Sequence, residues 1–152
     1  MNHRHLMLVF GVLASLIAAC SHAPSISIIT PDGKQLATVQ VEIANTPQQR
    51  ELGLMYRKQL DQDAGMIFIF KSPKQQAFWM HNTEIPLDMI FAGENRRILG
   101  IVANAEPHTD TPRSVDGESL YVLEVNGGYA ARHNIQAGDR LDFSGFPTIS
   151  AQ

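Results

Sequence analysis

A single cysteine, Cys20, is all this 152-residue chain holds, and that scarcity is its first constraint. With no second thiol, no intrachain disulfide can form, so the fold must rest on a packed core. The length suits one domain, large enough to bury such a core unaided. Positive charge is also short. Twelve Lys and Arg stand against fifteen Asp and Glu, a formal charge of −3, which gives no electrostatic case for nucleic acid or an anionic bilayer surface. No serine occupies a nucleophile elbow, and the only thiol lies in the N-terminal segment, so nucleophilic hydrolysis has no candidate. The histidines offer no pair at helical spacing. His108-Thr109-Asp110 with His81 or His133 is the nearest approach to a metal ligand set, and it reads as solvated loop. No repeats are present, and no cofactor or metal is expected.

What is present begins with an address. Met1–His5 carries Arg4, Leu6–Ala18 is almost unbroken apolar sequence, and Ile17-Ala18-Ala19-Cys20 sets small residues before a cysteine. A basic start, a short apolar stretch and a small-residue cleavage site describe a secretory signal, too short to remain as a membrane span. With the cysteine at the cut, residues 1–19 resemble the signal peptide of bacterial lipoproteins. The resemblance implies acylation of Cys20 and membrane contact through acyl chains, which anchor stably when more than one is attached. Ser21 follows where aspartate would mark inner-membrane retention, so an outer-membrane location facing the periplasm is expected. Residues 20–24 read as a short tether. Loss of residues 1–19 removes Arg4, leaving eleven Lys and Arg against fifteen Asp and Glu, a formal charge of −4.

The remainder, residues 25–143, reads as strands. Ala37, Val39, Val41 and Ile43 alternate with polar residues, the period of a half-buried strand. Gly65–Phe70 is apolar on both faces, as expected of a covered one. Ser25–Ile29, Gln76–His81, Ile85–Phe91, Ile98–Ala103, Leu120–Val125 and Arg140–Phe143 complete the set, with Lys71–Lys74 a turn around Pro73 and Asn104–Gly117 a long polar loop. Thr46-Pro47-Gln48-Gln49 carries a hydroxyl cap, proline at the first position and a glutamine closing a capping box, so a short helix begins there and is interrupted at Gly53. A second helical stretch, Tyr129–His133, follows Gly127-Gly128. Seven or eight short strands and one or two short helices predict a mainly β single domain, a β-sandwich or jelly-roll-like barrel, with a loose tail over 144–152.

The densest chemistry lies between Phe78 and Phe91. Trp79, His81, Asn82 and Asp88 sit among residues that otherwise read as core strand, and an amide or carboxylate buried without a partner costs several kcal/mol. The segment is a tightly specified corner or the wall of a site. Trp79 reads as a core ring or a stacking surface, Asn82 as an Asx-turn or a polar contact, and Asp88 as a cap on backbone N–H groups or a pocket residue. Glu124 faces with Leu120 and Val122; a buried carboxylate there asks for a cation, and Arg50 is the natural structural partner. Gly127-Gly128 could cradle an anion through backbone N–H groups or make a tight strand-to-helix turn.

Arg50, Gly53-Leu54-Met55, Arg57, Gly65-Met66 before Phe68 and Phe70, Trp79-Met80-His81-Asn82-Thr83, Pro86-Leu87-Asp88, Phe91, Leu123-Glu124, Gly127-Gly128 and Gly138-Asp139 together resemble one family, numbered 192 among domains of unknown function. The match covers roughly Ala37 to Phe143. It implies a compact β-rich domain of jelly-roll or barrel type in a small exported protein, and no activity. The position after Trp-Met, often lysine in that family, is His81 here. The reading that follows is a lipid-anchored periplasmic domain that binds a small molecule or glycan through Trp79, Asn82 and Asp88. A hydrolytic enzyme using Asp88 and Glu124, and an envelope scaffold that binds a protein partner, are the alternatives.

Overall fold

The computed structural model describes residues 23–147. Residues 1–19, Cys20 and the end of the tail lie outside them. Seven strands form one sheet: β1 (Ser25–Ile29), β2 (Gln35–Ala44), β3 (Ala64–Lys74), β4 (Leu87–Ala92), β5 (Ile98–Ala105), β6 (Ser119–Asn126) and β7 (Arg140–Ser144). Their order is β5-β4-β6-β3-β2-β1-β7. All neighbours are antiparallel except β2 and β3, whose parallel pairing needs the crossover that carries helix α1 (Pro47–Leu52). The sheet curls until its two edges meet at one end. Ile98 N–H donates to the Asp139 carbonyl (2.8 Å) and Leu141 N–H to the Arg96 carbonyl (2.9 Å), around an Arg97–Arg140 bridge. The mainly β, barrel-like expectation stands.

Each face of the sheet owns a core. The concave face gathers side chains from all seven strands, including Ile26, Val39, Ile67, Ile90, Ile98, Leu123 and Leu141. Tyr129 and Ala130 of helix α2 (Tyr129–Arg132) join them. The opposite face of β3, β6 and β4 presents Met66, Phe68, Val122, Met89 and Phe91, and is roofed by Leu54, Met80 and their flanking segments. Covered on both sides, β3 and β4 need apolar residues at successive positions, which is why their sequences do not alternate. Gly65 fits where β3 and β6 approach: a Cβ there would lie 2.5 Å from the Glu124 carbonyl oxygen.

Three local expectations meet the structure differently. The capping box forms as read: Thr46 Oγ1 accepts from Gln49 N–H, and Gln49 Oε1 accepts from Thr46 N–H. Lys71–Lys74 is no turn but the end of β3, with Lys74 paired to Ser119. Gln76–His81 is extended without being a strand; its one bridge joins Phe78 to Arg113 through bonds of 2.8 and 2.7 Å. This segment crosses over the outer core instead of joining the sheet, so its alternation survives while its ladder does not. At the far end, Ser144 still belongs to β7 and Phe146 stacks on Phe143 at 4.9 Å.

Candidate functional site

The crossing segment and the α1 region enclose the site. Gln76 and Met80 are buried beneath the crossing, while Trp79 stands 52 % exposed on its outer side. Phe78 anchors it, meeting Phe68, Phe70 and Phe91 edge-to-face at centroid distances of 4.9, 6.3 and 5.8 Å. Contacts of this geometry fix a ring more firmly than its buried area alone. The Trp79 ring lies over His81 at 5.1 Å, and His81 Nδ1 is 2.7 Å from Asp110 Oδ1.

Opposite Trp79, the chain leaving α1 turns through Gly53 and presents Leu52 and Tyr56, 55 % and 62 % exposed. Tyr56 and Asn82 both hold positive φ, 62° and 50°. They are bound to each other: Tyr56 N–H donates to the Asn82 carbonyl (2.8 Å), and Asn82 Nδ2 to the Tyr56 hydroxyl (2.9 Å). An aromatic residue at positive φ is an outlier, and such strain gathers at binding sites. Asn82 thus makes a contact across the groove and no Asx-turn. Between these walls runs a groove of about 450 Å³ lined by Leu52, Met55, Tyr56, Trp79, His81 and Asn82, among others.

The groove continues into a smaller cavity of about 150 Å³; Glu51, Leu52, Met55 and Trp79 line both. Its deeper walls are Phe68, Phe70 and Phe78, with Gln76, Thr83 and Glu124 as the buried polar side chains. Glu124 occupies the β6 row between Met66 of β3 and Met89 of β4. Burial without a polar partner pushes its carboxyl up to about 8, so it is largely neutral at pH 7.

The expected Arg50–Glu124 ion pair does not form. Arg50 Nη1 instead donates to the carbonyls of Asn45 (2.7 Å) and Ile69 (2.9 Å), and the guanidinium lies 5.2 Å from the Phe70 ring centroid. With the cation committed to the helix entrance, the carboxyl meets its burial by keeping a proton.

Asp88 is not a ligand contact either. It is fully buried, and its oxygens accept from Asn104 N–H (2.8 Å), Gly128 N–H (2.9 Å) and Ala130 N–H (2.8 Å). Helix α2 has no cap of its own, since Gly128 stands at the N-cap position at φ 79°. Asp88 supplies that cap from a neighbouring strand. The Gly127-Gly128 turn does cradle an anion, and the anion is the protein's own. The acid–base pair of Asp88 and Glu124 fails as well. Met89 is the residue opposite Glu124, so the pleat sends Asp88 to the concave face and Glu124 to the outer one.

A family model for DUF192, described as Uncharacterized ACR, matches residues 27–143. The chain belongs to the DUF192 family. Among solved structures, a protein of unknown function from Novosphingobium aromaticivorans is 42 % identical with a TM-score of 0.73. That match covers 78 % of this DUF192 chain and 83 % of the other. A proposed transcription regulator from Sinorhizobium meliloti is 38 % identical with a TM-score of 0.76, covering 85 % and 100 %. No curated protein matches the chain.

In this DUF192 domain, the structure brings Trp79 and Asn82, both singled out by the sequence, to the groove together with Tyr56 and Leu52, and sets Gln76 in the cavity beside it. The sequence reading names none of these last three as site residues. Gln76 was findable: it falls in phase with the apolar Phe78 and Met80, a polar side chain on the covered face. Tyr56 and Leu52 carried no comparable signal, because their exposure follows from the path the chain takes after Gly53.

Proposed function

We propose that this protein is an exported, lipid-anchored envelope domain that binds a small molecule or glycan in the groove beside Trp79. The observation that carries the reading is the open groove itself. Trp79 and Tyr56 stand exposed beside it, a strained Tyr56–Asn82 link ties its two walls, and a cavity lined by aromatic rings and three buried polar side chains adjoins it. Sites for small ligands have this make-up: apolar area for affinity and a few fixed polar groups for orientation. The regulator designation stays with the Sinorhizobium protein. Here the formal charge is −3 and the described helices span six and four residues, too short to fill a major groove with a basic face.

Trp79 is the only tryptophan, so its fluorescence reports the groove alone. Acrylamide should quench it readily, and a ligand from a glycan or periplasmic-metabolite panel should shift its emission. Trp79→Ala should abolish that binding at a loss well below the roughly 3 to 5 kcal/mol of a core Trp→Ala change. Blue-shifted, unquenchable emission would refute the groove reading. For the anchor, labelled palmitate should enter the native chain and not Cys20→Ser; an unlabelled native chain would refute it.

A further inference from the structure

The cavity beneath the groove has a chemistry that narrows what the groove can hold. Resting on the groove reading above, we propose that it receives the acetamido group of an N-acetylated amino sugar whose ring stacks on Trp79. The carbonyl oxygen accepts from Gln76 and from the Glu124 carboxyl, and the methyl lies among Phe68, Phe70 and Phe78.

Four observations converge on this group. Gln76 and Glu124 are only 5 % and 4 % exposed, and the Gln76 Nε2 amide has no hydrogen-bond partner among the described residues. An orphaned buried donor is costly, and an entering acceptor would relieve it. Glu124, whose proton is retained at neutral pH, adds a second donor. The rest of the inner lining is the carbon of Leu54, Phe68, Phe70 and Phe78, which suits a methyl, and the Thr83 hydroxyl, which already donates to the His81 carbonyl at 3.2 Å.

Charge excludes the neighbouring classes. Arg50 and Glu51 from α1 are the other charged residues lining the cavity, and their signs oppose. From β2, Glu42 shares the Met66–Glu124 row but is held by Arg57 at 2.7 Å. His81 and Asp110 pair with each other on the groove side. An ammonium would gain from Glu51 but lose to Arg50, and it would face the Gln76 N–H groups with nothing to accept from them. A carboxylate would gain from Arg50 and lose to Glu51. A neutral acceptor with a small apolar end meets no such conflict. At about 150 Å³ the cavity holds a group of this size; a cavity of similar volume is known to take a benzene ring.

Three disaccharides of one skeleton, differing only at carbon 2, test the proposal on the full-length chain: N,N′-diacetylchitobiose, chitobiose with free amines, and cellobiose. Titration followed by Trp79 emission should give the diacetyl sugar at least tenfold tighter binding than either other. Gln76→Leu should erase that preference, and Glu124→Gln, which remains a donor, should keep it. Above pH 8 the native affinity should fall about tenfold per unit while Glu124→Gln stays flat. Equal binding of all three sugars would overturn acetamido recognition and leave the groove reading intact. Emission shifts from other panel members, but from none of these sugars, would have the same meaning. An unquenchable Trp79 would instead strike the groove reading itself. A pH slope that persists in Glu124→Gln would remove Glu124 from the recognition.

Discussion

Replacing Glu124 with glutamine should make the protein more stable, and increasingly so as pH rises from 5 to 8. In the unfolded chain this carboxyl releases its proton near its ordinary value of 4.5; in the folded one it does so near 8. Between those values the native state carries one proton more, so stability falls by about 1.4 kcal/mol per pH unit. The contribution is whole below pH 4.5 and is lost as pH rises through 8. Its full span is about 5 kcal/mol, of which roughly 3 to 4 lies between pH 5 and 8. Glutamine has nearly the same shape and nothing to ionise. Urea denaturation of both proteins at pH 5, 6, 7 and 8 isolates the effect, because every other titrating group is common to both and cancels in the difference. The stability difference should widen by those roughly 3 to 4 kcal/mol in favour of the variant. A difference constant within about 1 kcal/mol would refute the reasoning, since it would mean that water or a cation reaches the carboxyl.

Asp88→Ala should cost about 3 to 5 kcal/mol, because three N–H groups lose their acceptor in a dry interior. Hydrogen exchange should accelerate at Gly128 and Ala130 before the rest of the sheet, and a loss below 1 kcal/mol would show that the turn finds another acceptor. Gly65→Ala should cost at least about 1 to 3 kcal/mol by thermal or urea unfolding, since its methyl would meet the Glu124 carbonyl and two valine side chains at 2.5 to 3.1 Å; neutrality would mean that β3 and β6 can separate freely.

Local chemistry was legible where neighbours in sequence are also neighbours in space. Thr46, Pro47 and Gln49 announce their helix, and they build the capping box with one another. The alternation of β2 likewise reports its two environments, and so does the alternation of Gln76, Phe78 and Met80 against Trp79. Long-range commitments were not legible. Asp88 and Glu124 look equivalent as sequence, each a carboxyl in an apolar strand. Asp88 lies within reach of three N–H groups contributed by residues 104 to 130, whereas Glu124 faces two methionines. The sequence points Arg50 to Glu124 because the carbonyls that capture it, those of Asn45 and Ile69, are silent in a sequence. Trp79 was ambiguous for a related reason. Period-two reading gives it a side but not whether anything covers that side.

The pairing of β1 with β7 sets the order in which this protein can come into being. Residues 25–29 form the first strand, and their outer partner is 140–144. Until that last segment is available, β1 is an unpaired edge and the concave core lacks Leu141. Such sequence-distant closure is slow, because loop entropy is lost before any contact rewards it. A chain still emerging from the ribosome therefore has no finished fold to fall into, and it stays threadable over nearly its whole length. Under the export proposed above, which would have the chain cross a membrane before it folds, late closure is an asset. The same geometry makes the C-terminal strand indispensable: a chain stopped before Arg140 would expose the β1 edge to the nearest strand of any other molecule.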